Sequence, residues 1–277
     1  MTLNLRMAWR NLWRHKRRTW LTAMAMIFSN VLLIFMISLQ FGTYEMMINN
    51  TLQAFSGHIQ VQREGYNDNP KLRSSIPAIV TLADRLRQAI PDIAVTARSS
   101  AFALASSEQR SLGIQVIGVQ PEFEPGVSTF PDLVAQGSFL QDPDAAEIVI
   151  GAVLARNLKV TVGDELTLLG SGRDGSLAAG VVTIRGIFDS GTADIDRSLA
   201  EVPLAYFQET FAMQDHGHSI AVAANGLENV AAAQAGVESV IREMDGLTVL
   251  DWNRLHPGLK QAIPADLSRA WCRYGVL

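Results

Sequence analysis

A long apolar stretch near the N-terminus is the strongest pattern in this chain. Residues 19–44 contain no charged side chain. As a helix they would extend about 39 Å, and the hydrocarbon core of a bilayer is about 30 Å thick. The stretch therefore predicts one transmembrane helix over 19–44. A cleaved signal peptide is the alternative, but the apolar run exceeds the roughly 7–15 residues of a signal-peptide core, and no clear small-residue cleavage site follows it.

A basic segment, residues 1–18, precedes the apolar stretch. Its cations are Arg6, Arg10, Arg14, Lys16, Arg17 and Arg18, and it contains no acidic residue. Four of these arginines recur at helical spacing, which predicts an amphipathic helix lying on anionic lipid headgroups. Cations that set the membrane orientation without forming a fixed helix are the alternative. The aromatic residues expected at the membrane interfaces are Trp9, Trp13, Trp20 and Tyr44.

Charge divides the chain into basic, apolar and acidic parts. Residues 1–18 have a formal net charge of +6, whereas residues 45–277, with 17 basic and 27 acidic residues, have −10. Because basic segments stay on the cytoplasmic side of a membrane, this asymmetry predicts a cytoplasmic N-terminus and an extracytoplasmic remainder. The acidic balance also disfavours a nucleic-acid partner.

Two polar residues in the span predict a contact with another membrane helix. Asn30 lies near the middle of the stretch and Ser38 nearer its end. An amide without a partner is costly in lipid, so we expect these side chains to face a neighbouring helix. Beyond the span, residues 45–56 contain no helix breaker before Gly57 and predict a helical stalk.

The rest of the chain alternates between strand and helix patterns. Within residues 57–97, GHIQVQ alternates apolar and polar residues as a half-buried strand does, and a helix pattern and a second strand, DIAVTAR, follow. The order strand, helix, strand recurs in residues 218–250. These two βαβ-like units predict one lobe with its helices on one side of a shared sheet.

Residues 98–217, between these units, contain short strand patterns. AFALAS and SLGIQVIGV flank the polar EQR and predict a hairpin, separate from the strand DIAVTAR. EIVIG, ELTLLG and VVTIRGIF predict further strands, with a short helix at AVLARNLKV. The segment therefore predicts a second, β-rich lobe inserted into the first, and the fold class is α+β. Residues 251–277 form a polar C-terminal tail.

Few residues show a pattern typical of catalysis or metal binding. Cys272 is the only cysteine, which excludes an intrachain disulfide and a thiolate metal cluster. Residues 215–218, Asp-His-Gly-His, hold two imidazoles, but without further ligands at a recognisable spacing they indicate a turn before a strand. No GxSxG elbow and no HExxH motif is present. The sequence therefore favours a protein that is not an enzyme and binds no metal.

Two further patterns resemble ligand sites only in part. GSGRDG at 170–175 matches the dinucleotide-binding motif, yet a strand pattern follows it where that motif needs a helix, so it predicts a hairpin loop. Asp189, Asp194 and Asp196 lack the spacing of a calcium-binding loop and are interpreted as solvated turn residues.

Several segments, taken in order, resemble the FtsX-like permease family of ABC transporters. They are MAWRNLWRHKRRTWLT, GHIQVQ, IQVIGVQPEFE, EIVIGAVLARNLKVTVGDELTLLG and VTIRGIFDSGTADIDRSLAEVPLAYFQ. The resemblance covers roughly residues 5–264 and is to the macrolide-exporter and lipoprotein-releasing (LolC/LolE) branch. It implies a bacterial inner-membrane subunit with four membrane helices. Between the first two lies a large periplasmic domain, made of a porter-like βαβ part and an inserted β-rich part.

The resemblance also implies partners. A cytoplasmic ATPase subunit drives permeases of this family, so ATP is used by the partner and no cofactor is expected on this chain. The other expected partners are a second permease subunit, membrane lipids and a periplasmic carrier or lipoprotein. At PADLSRAWCRYGVL the chain departs from the family, which has a second membrane helix there. We therefore expect a permease truncated near Pro264, for example by a frameshift.

One function from a different class remains open at this point. The same anchored domain would suit a single-pass extracytoplasmic ligand-binding or sensor protein, with its ligand in a pocket between the two lobes. A tight small ligand would favour this function, and co-purification with an ATPase would favour the permease.

Overall fold

The N-terminal part of the structure, a computed structural model, is one long helix, α1 (Lys16–Thr51). The structure describes residues 16–51, 57–226, 229–242 and 244–255. Within α1 the segment Lys16–Gln40, with a mean hydropathy of 2.1, is long and apolar enough to cross a membrane. Most of the basic segment, the end of the stalk and most of the C-terminal tail lie outside the described residues, so those expectations stay predictions.

The remaining elements form a separate unit of strands and short helices. The strands are β1 (Ile59–Arg63), β2 (Ile93–Ser106), β3 (Ser111–Val119), β4 (Val134–Gly137), β5 (Glu147–Gly151), β6 (Glu165–Ser171), β7 (Leu177–Phe188), β8 (Leu199–Pro203), β9 (Ser219–Ala224) and β10 (Leu247–Asp251). The helices are α2 (Ile79–Ala89), α3 (Glu124–Val127), α4 (Ala152–Leu158), α5 (Ala193–Ser198), α6 (Leu204–Thr210), α7 (Val230–Ile241) and α8 (Trp252–Leu255), with a 3-10 turn at Phe130–Leu133.

The first lobe of this unit is a four-stranded antiparallel sheet in the order β10–β1–β9–β2. β1, α2 and β2 form one strand–helix–strand unit, and β9, α7 and β10 form the other. Each unit leaves space between its strands for a strand of the other, which is the ferredoxin-like, split βαβ arrangement. Helices α2 and α7 share one core with the sheet, including Ile59, Leu86, Val222 and Val237. The predicted pair of βαβ-like units on a shared sheet is confirmed.

The second lobe is a closed barrel of six strands. Around the barrel, β2 pairs with β3, β3 with β8, β8 with β5, β5 with β7, β7 with β6, and β6 with β2 again. β4 adds a short strand to β7. Closure leaves the ring itself without free edges, which otherwise invite pairing with other chains. The sequence predicted β-rich structure here, and the closure of these strands into a barrel is a finding of the structure.

Strand β2 belongs to both lobes. Its first part, residues 93–98, pairs with β9, and its last part, residues 103–106, pairs with β6. The prediction of two separate strands, DIAVTAR and AFALAS, is therefore wrong. The polar residues between them, Ser99 and Ser100, do not end the strand, because their backbone groups remain in the ladder with β3.

The core of the barrel contains two aromatic rings, one from helix α6 and one from the residue that follows it. Phe207 and Phe211 are buried, and their ring centroids lie 4.5 Å apart. Gly118 of β3 gives Phe207 the space it occupies, because a Cβ at Gly118 would lie 2.6 Å from the Cβ of Phe207. This close approach fixes α6 against the barrel wall.

Two loop predictions have different outcomes. The segment GSGRDG is the turn between β6 and β7, where the Gly172 N–H donates to the Ser176 carbonyl oxygen at 2.8 Å, so the hairpin prediction is confirmed. The prediction of solvated acids holds for Asp189 and Asp194, which are exposed, and is wrong for Asp196. Asp196 is 3% exposed, because its carboxylate accepts hydrogen bonds from the Ser190 backbone N–H and hydroxyl and so closes the turn before α5.

Candidate functional site

A polar groove lies where the two lobes meet, on the face of the ferredoxin-like sheet that α2 and α7 leave uncovered. Its volume is about 540 Å³, within the range of small-ligand pockets. The lining residues are Gln60, Gln62, Tyr66, Asn67, Pro70, Lys71, Leu72, Arg98, Ser99, Ser100, Ala101, Phe102, Gln115, Ile117, Ser171 and Ser219. We call this cavity the interlobe groove. Amides and hydroxyls predominate among its polar side chains, and none of these residues is acidic.

Side chains alternate between the two faces of a strand, and this alternation determines which polar side chains form the floor of the groove. The apolar residues of β1 face the helices, so Gln60 and Gln62 face the groove. Gln62 Nε2 donates a hydrogen bond to Gln60 Oε1 at 2.6 Å. On the neighbouring strands, Gln115 Nε2 donates to Ser100 Oγ at 2.8 Å. These bonds hold the floor side chains in place before any ligand binds.

A buried ion pair, Arg98 with Glu124, lies next to the groove. Arg98 is 8% exposed and Glu124 is fully buried. The Nε and Nη2 groups of Arg98 donate to the two carboxylate oxygens of Glu124. Thr96 Oγ1 donates to the same carboxylate at 3.2 Å. Because a buried charge is tolerated only with such partners, the pair ties β2 to α3.

A second buried acid, Glu201 of β8, interacts with this pair. Its burial, and next the negative charge of Glu124, raise the pKa of Glu201 well above its ordinary value, while Arg98 acts in the opposite direction. The neutral form of Glu201 is therefore favoured more strongly than in an exposed glutamate. Its Oε2 atom has no hydrogen-bond partner among the described residues.

His218 connects β9, β2 and the loop that borders the groove. Its Nδ1 accepts the Ser100 backbone N–H at 3.0 Å, its Nε2 lies 3.1 Å from the Leu72 carbonyl oxygen, and its ring stacks on Tyr66. The acceptor role of Nδ1 requires a neutral ring with its proton on Nε2. Burial lowers the pKa of His218 to about 4, which agrees with this state. His218 thus precedes β9, as predicted, and has a structural role.

An exposed apolar surface lies on the outside of the barrel, next to the groove. It consists of Phe102 and Leu104 on β2, Leu169 on β6, and Leu177 and Val181 on β7. Leu104 lies opposite Leu169 across the β2–β6 pair. Phe102 is 77% exposed and Leu177 79% exposed, so the side chains are well displayed. We call this surface the apolar wall. Contiguous exposed apolar surface marks an interaction site in soluble domains.

The predicted membrane residues are described only in part. Arg6, Trp9, Arg10, Trp13 and Arg14 lie outside the described residues. Lys16, Arg17 and Arg18 form the first turn of α1, and Trp20 follows on the same helix. Ser38 and Tyr44 also belong to α1. Their roles in membrane contact stay predictions.

Asn30 has a partner within its own helix. Its Nδ2 donates to the Met26 carbonyl oxygen, one turn earlier, at 3.0 Å. This bond uses part of the amide's hydrogen-bonding capacity and lowers the cost of placing the amide in lipid. The predicted contact of Asn30 and Ser38 with another helix stays a prediction.

The sequence analysis named a pocket between the two lobes only for the alternative function, and it missed the residues of the groove and of the wall. Their signal was present in the alternation along β2, where Arg98, Ser100, Phe102 and Leu104 occupy one face. This face carries an arginine, a serine and two large apolar residues. Such a mixture predicts no binding surface unless the strands that pair with β2 are known. The imidazoles of residues 215–218 form no metal site with other residues: no cluster of three or more His, Cys, Asp or Glu side chains suits a metal ion in the described part of the chain.

Comparison with known proteins identifies the family. Residues 19–240 match the model of the MacB-like periplasmic core domain. The chain belongs to this family. No curated protein sequence matches it. Its fold is similar to that of the periplasmic region of MacB from Actinobacillus actinomycetemcomitans, with a TM-score of 0.52 and 14% identity over 79% of this chain and 98% of that one.

A second solved structure agrees with this assignment. The extracellular domain of the noncanonic ABC-type transporter YknZ from Gram-positive bacteria has a TM-score of 0.50 and 15% identity, over 70% of this chain and 100% of that one. The resemblance to FtsX-like ABC permeases is therefore confirmed. As a MacB-like core domain that follows an apolar helix, the chain is a membrane-anchored protein with an extracytoplasmic domain and a permease-type role. Membership implies an ATPase partner and a second permease subunit.

Proposed function

We propose that this chain acts as a permease subunit of an ATP-driven export or lipoprotein-release complex in the bacterial inner membrane. The observation that carries the proposal is the family match over residues 19–240, because it includes the apolar helix and the domain together. In this role the partner ATPase binds and hydrolyses ATP in the cytoplasm, and this chain holds no cofactor. The domain moves substrate outside the cytoplasm through coupled motion with the membrane helices.

Charge supports the proposed orientation. Lys16, Arg17 and Arg18 stand at the start of α1, and the basic segment before them adds further cations. Basic residues next to a span remain in the cytoplasm and contact anionic lipids there. Asn30 and Ser38 are the residues we propose to contact the second permease subunit, because a polar side chain in lipid gains most from a partner helix.

The apolar wall supports a contact with substrate or carrier. Leu169, Leu177 and Val181 are exposed on a domain whose residues, 45–277, have a formal net charge of −10. A lipoprotein or a periplasmic carrier presents apolar surface of the same kind, and burial of this area would supply the binding free energy. We propose that the wall is the surface that receives it.

Co-purification tests the proposed complex. The full chain carries an affinity tag and is isolated from native membranes in a mild detergent. We expect an ABC ATPase and a second permease to be recovered with it, and the isolated complex to hydrolyse ATP. The Asn30→Leu variant should lose the second permease, and the matched Ser29→Ala variant should retain it. Recovery of the intact chain with no ABC ATPase would contradict the proposal.

One observation favours the second candidate function, a single-pass ligand-binding or sensor protein. The interlobe groove, with a volume of about 540 Å³, lies between the two lobes where such a protein would hold its ligand. A small ligand bound by a chain that recovers no ATPase would favour this function over the permease.

A further inference from the structure

We propose that the interlobe groove binds a neutral saccharide, a ring that offers several hydroxyl donors and one apolar face. The site lies entirely in the extracytoplasmic domain. The proposal therefore does not depend on the permease role, because a permease domain and a sensor domain could each hold this ligand.

One buried polar atom of the groove lacks a partner. Gln62 is 4% exposed, and its Oε1 atom makes no hydrogen bond in the described part of the chain. Buried polar atoms in folded proteins nearly always have a partner, so each exception requires an explanation. Gln62 lines the cavity, on the face of β1 opposite to the apolar residues that pack on the helices. A ligand in that cavity is a direct source of the missing bond.

The unpaired amide oxygen requires a donor from the ligand. Gln62 donates one N–H of its Nε2 group to Gln60, and its carbonyl oxygen, which only accepts, is the atom without a partner among the described residues. Gln115 likewise donates one N–H of its Nε2 group to Ser100. The groove therefore presents an unpaired acceptor beside amide groups and the flexible hydroxyls of its serines. Ligand groups that donate are hydroxyl, amide N–H and ammonium.

Charge excludes the ammonium group. None of the lining residues is acidic, and the cations Lys71 and Arg98 both border the cavity. Arg98 is already neutralised by the two-point contact with Glu124. A cationic ligand would meet repulsion from Lys71 with no carboxylate on the lining to offset it, whereas a neutral hydroxyl ligand meets no such cost.

Backbone geometry argues against an extended peptide. The floor of the groove is the face of a sheet, and β1 is paired on both of its edges, with β9 and with β10. No backbone edge is therefore available there for an added strand. Hydroxyl groups around a ring suit side-chain amides better than a peptide backbone does.

Phe102 supplies the apolar part of the site. It lines the groove and is 77% exposed, so one ring face is free to receive a ligand. Ile117 and Leu72 add apolar surface nearby. The C–H face of a sugar ring packs on an aromatic face while its hydroxyl edge reaches polar groups. Gln62 lies on β1 and Phe102 on β2, with β9 between these strands, so the two residues would contact different rings of a disaccharide.

Ligand binding by the full chain in lipid nanodiscs tests the proposal. Maltose, cellobiose and chitobiose are each titrated by isothermal calorimetry and by saturation-transfer NMR. We expect at least one disaccharide to bind with a millimolar or tighter Kd. Gln62→Leu and Phe102→Ala should each weaken binding about tenfold or more, because each removes one contact of a small ligand. Val162→Ala, at an exposed apolar residue that is not part of the groove lining, is the matched control and should bind as the native chain does.

Three outcomes would overturn the proposal. The first is that none of the three disaccharides binds, the second is that Gln62→Leu leaves the binding unchanged, and the third is that trialanine binds in place of the sugars. Gln115→Leu, at the half-exposed edge of the floor, repeats the test if Gln62→Leu unfolds, and thermal melts identify that case. Recovery of the ATPase with Gln62→Leu separates the two proposals: if the ATPase is recovered and no sugar binds, only the saccharide site is wrong.

Discussion

The two lobes of the domain differ in how the faces of their strands are covered. The barrel closes on itself, so its strands bury one face in a core that is apolar throughout. The ferredoxin-like sheet is covered by the long helices α2 and α7 on one face, and its other face, where only the short helix α3 packs, keeps Gln60, Gln62 and Arg98. The difference shows that the polar chemistry of this domain is concentrated where a half-covered sheet meets a closed one. Strand β2 crosses that boundary, so substitutions in the two lobes and at the boundary test this comparison.

The largest effect should come from opening the barrel core. Phe207→Ala removes a fully buried ring stacked on Phe211. We expect the free energy of unfolding to fall by about 3–5 kcal/mol, the usual cost of a large cavity. Chemical denaturation measures it, with Phe102→Ala as the control, because that ring is exposed and its loss should cost less than about 1 kcal/mol. Equal losses for the two variants would show that the barrel is not a packed core.

A somewhat smaller loss should follow when the ion pair at the lobe boundary is broken. Glu124→Ala leaves Arg98 buried without its carboxylate, which typically costs about 3–4 kcal/mol. Glu201 can ionise and replace part of the interaction, so the loss should lie toward the low end. Asp84→Ala is the control, because Asp84 is half-exposed and Arg87 keeps its contacts with Val95 and Gln120, so the loss should be less than about 1 kcal/mol. Denaturation midpoints of the two variants should differ clearly, and a match between them would contradict a buried pair.

Lowering the pH should destabilise the folded protein at the boundary between the lobes, because His218 is neutral in the folded state. Its pKa is about 4 in the folded protein and about 6.5 when unfolded, so the unfolded state binds more protons between those values. Its contribution is complete above about pH 6.5 and declines as the pH falls toward 4, by roughly 2–3 kcal/mol in total. His58, whose pKa is also lowered by burial, adds to this slope, and Glu201, whose pKa is raised, opposes it above its unfolded value.

The His218→Gln variant isolates that contribution. The difference in unfolding free energy between the native chain and this variant should shrink as the pH falls from 7 to 4.5, because the native imidazole is then penalised and the amide is not. Urea denaturation at several pH values measures it. A difference that is independent of pH would mean that His218 is not held neutral by Ser100 and Leu72.

The smallest effect should come from filling the space beside α6. Gly118→Ala places a Cβ 2.6 Å from the Phe207 Cβ, so α6 must shift, at about 1–2 kcal/mol. Gly113→Ala on the same strand is the matched control, because nothing lies within 4 Å of its new Cβ. Thermal melts should lower the midpoint for the first variant only. The same shift in both would assign the effect to strand propensity and not to packing.

The sequence predicted what depends on local pattern. The alternation in GHIQVQ and the helix over residues 230–241 are local, and both appear in the structure. Closure of the barrel depends on pairs far apart in sequence, such as Leu104 with Leu169, which single-strand patterns do not determine. The lining residues of the groove were missed for the same reason, since they come from strands of both lobes. Asp196 was misjudged because the local sequence does not show which turn acids become buried.

Membrane orientation is the most direct test of an anchored, extracytoplasmic domain. In a Cys272→Ser background, Gln109→Cys places one thiol at the exposed turn between β2 and β3, and Asn4→Cys places one in the basic segment. A membrane-impermeant maleimide is applied to intact spheroplasts and to permeabilised ones. We predict that the Gln109→Cys protein is labelled in intact spheroplasts and the Asn4→Cys protein only after permeabilisation. Labelling in the reverse order, or of neither protein before permeabilisation, would contradict the account.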